Sequence, residues 1–387
     1  MSRLRSLEDD PVNLPIPREE HTVLASEPKD LRTNAGILQV PYLEPGDRRH
    51  LTVKQILKLL RIIPFLILLV FVQTASGGEW VKQPTSSLAW FRTIHFADAE
   101  RGFIGGSKGA LLQSIDGGKT WRVVRKFTGD TIRKIHFTDR QHGWALCERD
   151  IYSLGEGPPS YLMRTEDGGK TWVKHDFEDS NRRRITNLVF TRSGFGLALG
   201  EMGTLYALEN DRLSWQKVLA PTRFLMLDGA FAGEFVGAIV GGGGMILYTE
   251  DAGVTWGPAV VSEKLDSMLK SVYFVDRSHG WTVGANGSIY QTINGGKYWR
   301  LQKSNLGTDL SGVYFTDNAN GWAIGEQGTI LHTTSGGNIW RETRTASRNN
   351  LEDIRFFNGT GWIVGFGGTI LKYEEGIDTR RKPKLQR

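Results

Sequence analysis

One phrase recurs seven times in this chain, and its spacing decides the fold. It reads apolar-x-Phe, a turn, Gly-aromatic-apolar-apolar-Gly, a further Gly, then an apolar run. The anchoring phenylalanines are Phe96, Phe137, Phe190, Phe231, Phe274, Phe315 and Phe356, at intervals of 41, 53, 41, 43, 41 and 41 residues. Within the copy 313–344 the strand-length runs are 313–316, 321–325, 329–333 and 340–343, and the turns between them are rich in Asp, Asn, Gly and Ser. Four short apolar runs at a period of 40–45 residues describe a blade of a β-propeller, a unit that buries its faces only against its neighbours. The expected fold is therefore all-β, a seven-bladed propeller of four-stranded blades. Gly at 47 of 387 residues fits the many tight turns this needs, and no Gly-X-Y period points to collagen instead.

The tryptophans follow the same period. Trp80, Trp121, Trp172, Trp215, Trp256, Trp299 and Trp340 end repeats, and Trp144, Trp281, Trp322 and Trp362 sit in the Gly-aromatic phrase. The last copy lacks its terminal Trp, while Trp80 stands 41 residues before Trp121, as a repeat end should. The strand around Trp80 is thus expected to complete the C-terminal blade and remove the open edges of the ring.

The flanks differ from the repeat. Residues 79–376 carry 33 Lys/Arg against 32 Asp/Glu, so the pI near 9.3 comes from elsewhere and no nucleic-acid-binding face is indicated. Residues 1–50 show neither helical nor strand periodicity and read as a disordered arm. Residues 51–78 hold the uncharged run 62–72, which extends back to Ile56 if Lys58 and Arg61 snorkel to the interface. This reads as a membrane anchor spanning 56–72, with the bases before it placing the N-terminus in the cytoplasm and the propeller outside, periplasmic in a bacterium. A signal peptide cut near Ala75-Ser76-Gly77 and an amphipathic helix are the other readings. The domain plan is arm 1–50, membrane or signal segment 51–78, propeller 79–376 and basic tail 377–387.

The turn between third and fourth strands carries Ser/Thr-x-Asp-x-Gly-x-Thr-Trp. It appears with Asp116 and Trp121, with Asp167 and Trp172, and with Asp251 and Trp256; Asn294 and Ser335 replace the Asp in two copies. A short carboxylate accepts the turn's own amides, Gly supplies positive φ and Trp packs between blades, so every part has a folding role. This is the Asp-box, or bacterial neuraminidase repeat. The run 79–373 most closely resembles the photosystem II stability/assembly factor family, in which blades read Gly-Trp-Ala-Val-Gly-x-x-Gly-x-Ile-x-x-Thr-x-Asp-Gly-Gly-x-Thr-Trp. The resemblance implies a non-enzymatic chaperone with an arginine-rich surface, bound to a membrane protein complex or its subunits, such as those of a photosystem. Asn181-Arg182-Arg183-Arg184-Ile185-Thr186-Asn187-Leu188 resembles the family's arginine-bearing stretch, with Arg183 and Arg184 the residues that carry over.

No catalytic or metal-binding constellation stands out, and no cofactor is called for. The alternative is a carbohydrate-active, sialidase-like propeller. That chemistry would need an arginine cluster and a Tyr–Glu pair, and Arg92, Arg133, Arg223, Arg348 and Arg355 near blade starts are the candidates for the cluster. His95 with His136, and His142 with His279, recur at equivalent repeat positions, which favours structural roles. Cys147 reads as a small core residue. The irregular copy is the second, 53 residues long, with its excess in 148–161 and 175–184. Loops added to a rigid scaffold are where binding resides. Arg182, Arg183, Arg184, Arg125, Lys126 and Arg133 are therefore the expected partner-binding residues.

Overall fold

The computed structural model describes residues 78–150, 157–177, 183–208, 213–263, 267–343, 345 and 347–374. The arm, the tail and all of the 51–78 segment except Gly78 lie outside them, as does Arg182. No helix among the described residues is long and apolar enough to cross a membrane.

Seven antiparallel sheets follow one another along the chain, each running from an inner strand outward. The inner strands are Phe91–Phe96, Thr131–Phe137, Ile185–Phe190, Met226–Ala232, Leu269–Phe274, Leu310–Phe315 and Leu351–Phe357. Each lies against the next, and the seventh returns to the first, closing the ring. The fourth strand of the last sheet is Glu79–Lys82, antiparallel to Thr369–Glu374 with Trp80 opposite Tyr373. Trp80 is buried there. Just beyond it, Gln83 reaches blade one, where its amide donates to Gly118 O at 3.1 Å and accepts the Trp121 indole N–H at 3.1 Å. The expected closure is thus held by a strand ladder on one side and a side chain on the other.

Cores form between blades because the second strands are buried on both faces. Trp281 of blade five stacks on Phe315 of blade six at 3.5 Å, and Trp362 of blade seven meets Phe96 of blade one at 4.5 Å. In six of the seven blades the second strand ends in a glycine required by close approach, as a Cβ on Gly325 would lie 2.1 Å from Asp309 O; in blade two it ends in Glu148.

The Asp-boxes have the geometry their chemistry requires. Asp116 Oδ1 accepts Thr120 N–H at 2.9 Å and the Ser114 hydroxyl at 2.7 Å, and Oδ2 accepts the Thr120 hydroxyl at 2.6 Å. Burial alone would lift this carboxyl; the Thr120 hydroxyl and amide, then Ser114, outweigh it and hold it at about 2. Asp167 is held at about 2 by the Thr171 hydroxyl and amide. Asp251 repeats the pattern with Thr255, and Asn294 keeps the amide bond, from Tyr298 N at 3.0 Å. The following tryptophans are pinned too, Trp172 to Gly169 O at 3.2 Å and Trp256 to Gly253 O at 3.0 Å.

One departure from four-stranded regularity occurs. The outer strand of blade four is only Gly257–Pro258, and the chain then runs as Val260–Val261 parallel to Tyr298–Gln302, giving blade five a fifth strand. The 43-residue interval between Phe231 and Phe274 leaves the connection long enough to cover that edge.

Candidate functional site

Every inner strand carries a bulge at the same place. Pairing with the second strand skips one residue between Phe91 and Thr93, Ile132 and Lys134, Ile185 and Asn187, Met226 and Asp228, Leu269 and Ser271, Leu310 and Gly312, and Leu351 and Asp353. A bulge re-aims the skipped side chain. Here the skipped residues are Arg92, Arg133, Thr186, Leu227, Lys270, Ser311 and Glu352, and all seven line an axial cavity of about 600 Å³. Its charges at this level are paired. Arg92 meets Glu352 at 3.1 Å, Arg133 meets Glu148 at 3.2 Å, and Lys270 meets Asp309 at 2.7 Å. Trp90 lies under the Arg92 guanidinium at 3.4 Å and donates its indole N–H to Glu352 at 2.8 Å.

The next level is Thr93, Lys134, Asn187, Asp228, Ser271, Gly312 and Asp353. Several of these accept a backbone N–H of the following blade: Thr93 from Ile135 at 3.5 Å, Asp228 from Val272 at 3.0 Å, Asp353 from Ile94 at 3.1 Å. Asp228 also accepts the Asn187 amide at 2.8 Å, and burial pushes its carboxyl above the usual range despite the opposing pull of Lys134. Burial likewise pushes the Lys134 ammonium below the usual lysine range, with Asp353 and Asp228 opposing and Arg355 and Arg133 adding to the effect. The third level is His95, His136, Val189, Ala230, Tyr273, Tyr314 and Arg355. His95 accepts Phe137 N–H on Nε2 at 3.0 Å, and burial, then Arg355 and Lys134, lower it to about 3. His136, lowered well below the usual range by burial, stacks on Phe190 at 4.2 Å. Both imidazoles are therefore neutral at pH 7.

The residues expected to bind a partner divide into two groups. Arg133 and Arg184 converge on one carboxylate, Glu148, with Arg184 at 2.7 Å and only 28% of its side chain accessible. The pair with Glu148, where the first insertion begins, draws Arg184 inward. Arg125, Lys126 and Arg183 are exposed. The Lys126 ammonium donates to Lys108 O at 2.8 Å, and Arg183 to Met202 O at 3.4 Å. The described ends of the two insertions meet, since Ile185 N–H donates to Ser160 Oγ at 2.8 Å beside the Arg184–Glu148 pair.

Of the five arginines considered for a glycosidase cluster, Arg92, Arg133 and Arg355 reach the cavity. In the same lining, burial, then Tyr314, pushes the Tyr273 hydroxyl up. Among the described residues no group of three or more His, Cys, Asp or Glu is gathered as metal ligands would be. Cys147 is buried, and desolvation raises its thiol to about 12, so it is an inert core residue. Lys270 escapes sequence reading, and Lys134, which sequence proximity groups with Arg125, Lys126 and Arg133 at the basic edge, lines the channel instead. The available signal was Trp90, the one tryptophan outside the repeat.

Comparison with known proteins agrees with this architecture. The family described as "Photosynthesis system II assembly factor YCF48" matches residues 258–342 and 299–386. The photosystem II assembly protein Ycf48 of Synechococcus sp. (strain JA-3-3Ab) is 26% identical over 190 residues, covering 48% of this chain and 53% of that protein. The photosystem II assembly lipoprotein Ycf48 of Trichormus variabilis is 24% identical over 184 residues, covering 47% and 51%. The matched stretch thus spans about half the length of these relatives. A solved structure described as YCF48 bound to D1 peptide superposes with a TM-score of 0.62 at 18% identity, over 78% of this chain and 99% of the other. In sequence the chain is similar to photosystem II assembly factors over about half its length, and the solved structures share its propeller fold.

Proposed function

We propose that this chain is a non-enzymatic, protein-binding propeller that assists assembly or stability of a membrane protein complex, tethered through residues 56–72 with the propeller outside the cytoplasm. The observation that carries the reading is the meeting of the two blade-two insertions at one basic edge. There Arg133 and Arg184 share the one carboxylate of Glu148 while Arg125, Lys126 and Arg183 face solvent. Exposed cations on added loops suit an acidic or polar segment of a client subunit, which they would steer and orient. Relatives named as photosystem II assembly proteins, and a YCF48 structure carrying a D1 peptide, support a client of photosystem type. Relatives named as lipoproteins support a membrane-associated propeller outside the cytoplasm.

The test is recovery of client subunits from detergent-solubilised membranes by wild-type chain and by Arg125→Glu/Arg183→Glu, at low and high salt. Arg184 is left intact because reversing it would set a carboxylate against Glu148. Wild type is expected to recover clients in a salt-sensitive manner and the variant to recover less at low salt. Equal recovery of every subunit in all four samples would sink the proposal.

A further inference from the structure

The rim on which the inner strands begin follows one backbone plan, but its side chains do not. In six blades the carbonyl of the residue just before the bulge's leading residue accepts an N–H from the blade's own second-to-third turn, as Trp90 O does from Ser107 and Leu225 O from Gly242. One residue earlier stand Ala89, Asp130, Arg183, Ser267, Thr308 and Asn349, each small or polar, and in blade four Phe224, which is 56% accessible. The turn has a left-handed position that holds Lys108, Asn286 and Gln327 in three blades and Met202, 54% accessible, in blade three. Water solvates the polar side chains at these places and gains nothing from an outward methionine or phenylalanine.

The two departures meet. Gly203, next to Met202, donates its N–H to Phe224 O at 3.1 Å, and the Phe224 ring lies 3.1 Å from where a Cβ on Gly243 would stand. The turn under that ring, Gly241–Gly244, is glycine throughout and presents no side chain of its own. Gly244 donates to Ser267 O at 2.6 Å, and the next residue, Met268, is 44% accessible and part of the cavity wall. An apolar strip thus runs from Met202 past Phe224 to Met268 at the mouth. Its outer end joins the basic edge of blade two, because the Arg183 guanidinium donates to Met202 O at 3.4 Å, and exposed Arg223 precedes Phe224. Contacts of 3.4 and 3.1 Å link cation to ring. A chain of about five extended residues, at about 3.3 Å each, therefore spans both. We infer that the strip is the apolar half of the client site. It takes a polypeptide segment in which a large aliphatic or aromatic side chain lies within about five residues of acidic ones, the first against Phe224 and Met202, the second against Arg183 and Arg223. The cations select and steer the acidic partner, and the apolar anchors hold it once water is excluded. The inference rests on the reading of this chain as a client-binding propeller and names the chemistry of the client.

The experiment places the photoreactive residue p-benzoylphenylalanine at Phe224 of the full chain. A second chain carries it at exposed Phe235, in the first-to-second turn beside the Asp-box at the other end of the blade. Both are irradiated in native membranes and the linked peptides are sequenced. Position 224 is expected to link a client segment with acidic residues within about five of the linked site, and position 235 to leave that segment unlinked. In parallel, Met202→Ser/Phe224→Ser should lower client recovery at low and high salt alike, whereas Arg125→Glu/Arg183→Glu lowers it at low salt. Thermal melting shows that the serine variant is folded. Undiminished recovery by that folded variant, beside reduced recovery by the arginine variant, would overturn the apolar half and leave the basic edge standing. No client recovered by wild type would sink the basic edge and this inference with it. A linked segment without acidic residues, or a link only to lipid or to a second copy of the chain, would also overturn it.

Discussion

The outer turns and the channel wall are built from the same seven copies, yet they use repetition in opposite ways. At the Asp-box turns Asp116, Asp167 and Asp251 make the same bonds, and Asn294 retains the amide contact after losing the charge. On the axis His95, Val189, Tyr273 and Arg355 occupy one equivalent position and have little chemistry in common. A position that does the same work in every blade is part of the frame. A position that diverges has been released from that work, and on the axis of a ring, where equivalent residues from different blades face one cavity, divergence is what makes a site unique.

This contrast breaks most sharply at the closure. Deleting residues 79–83 removes the fourth strand of blade seven, buried Trp80 and the Gln83 bridge together. Loss of the tryptophan alone is worth about 3–5 kcal/mol, and the deletion should exceed it. An unchanged denaturation midpoint would show that the frame does not depend on closure. Asp116→Ala should cost about 1–3 kcal/mol through the amide and hydroxyls left unanswered, and Asn294→Ala less, since its side chain accepts only from Tyr298 N and Thr292 Oγ1. Denaturant titration of both variants checks the order, and its reversal would mean that the charged boxes carry no extra weight.

Acid should separate the two regions further. His95 falls from 6.5 in the unfolded chain to about 3 when folded, so the unfolded state binds the extra proton between those values. Stability from the axis is therefore complete above pH 6.5 and declines as the pH falls toward 3. The Asp-box contribution, with Asp116 going from 3.8 to about 2, is complete above about 4 and declines only below it. His95→Gln should flatten the pH–stability curve between 6.5 and 4 and leave the steeper region below 4 in place. A curve unchanged above pH 4 would count against a buried neutral His95. The smallest effect is expected at Lys134→Met. Removing a half-buried cation of the cavity wall should leave the melting temperature little changed, whereas a clear drop would assign Lys134 to the frame.

The ring was legible because its evidence is periodic. The 41-residue offset of Trp80 from Trp121 is visible without any structure, and the ladder to Thr369–Glu374 follows from it. The channel was not, because one bulged residue per inner strand reverses which side chains face the lumen. Arg92, Lys270 and Glu352 look like scattered surface charges until the skip between Phe91 and Thr93, and its counterparts, is known. Arg133, grouped by sequence proximity with Arg125 and Lys126, belongs instead to the channel mouth. The parallel strand Val260–Val261 left no trace in the pattern, since its pairing depends on a neighbour some 40 residues further on.

Closure also sets a timetable. The strand bearing Trp80 is made early, whereas its partner is among the last parts of the ring to leave the ribosome; Gly78 and the Tyr373 hydroxyl it bonds are 295 positions apart. At ordinary rates of synthesis that separation corresponds to roughly 15–60 s. Throughout that interval an indole and one edge of backbone amides have no native mate. A chain stalled within blade seven would hold six finished blades and still be unable to shut, so the ring is completed only after nearly all of it has been translated.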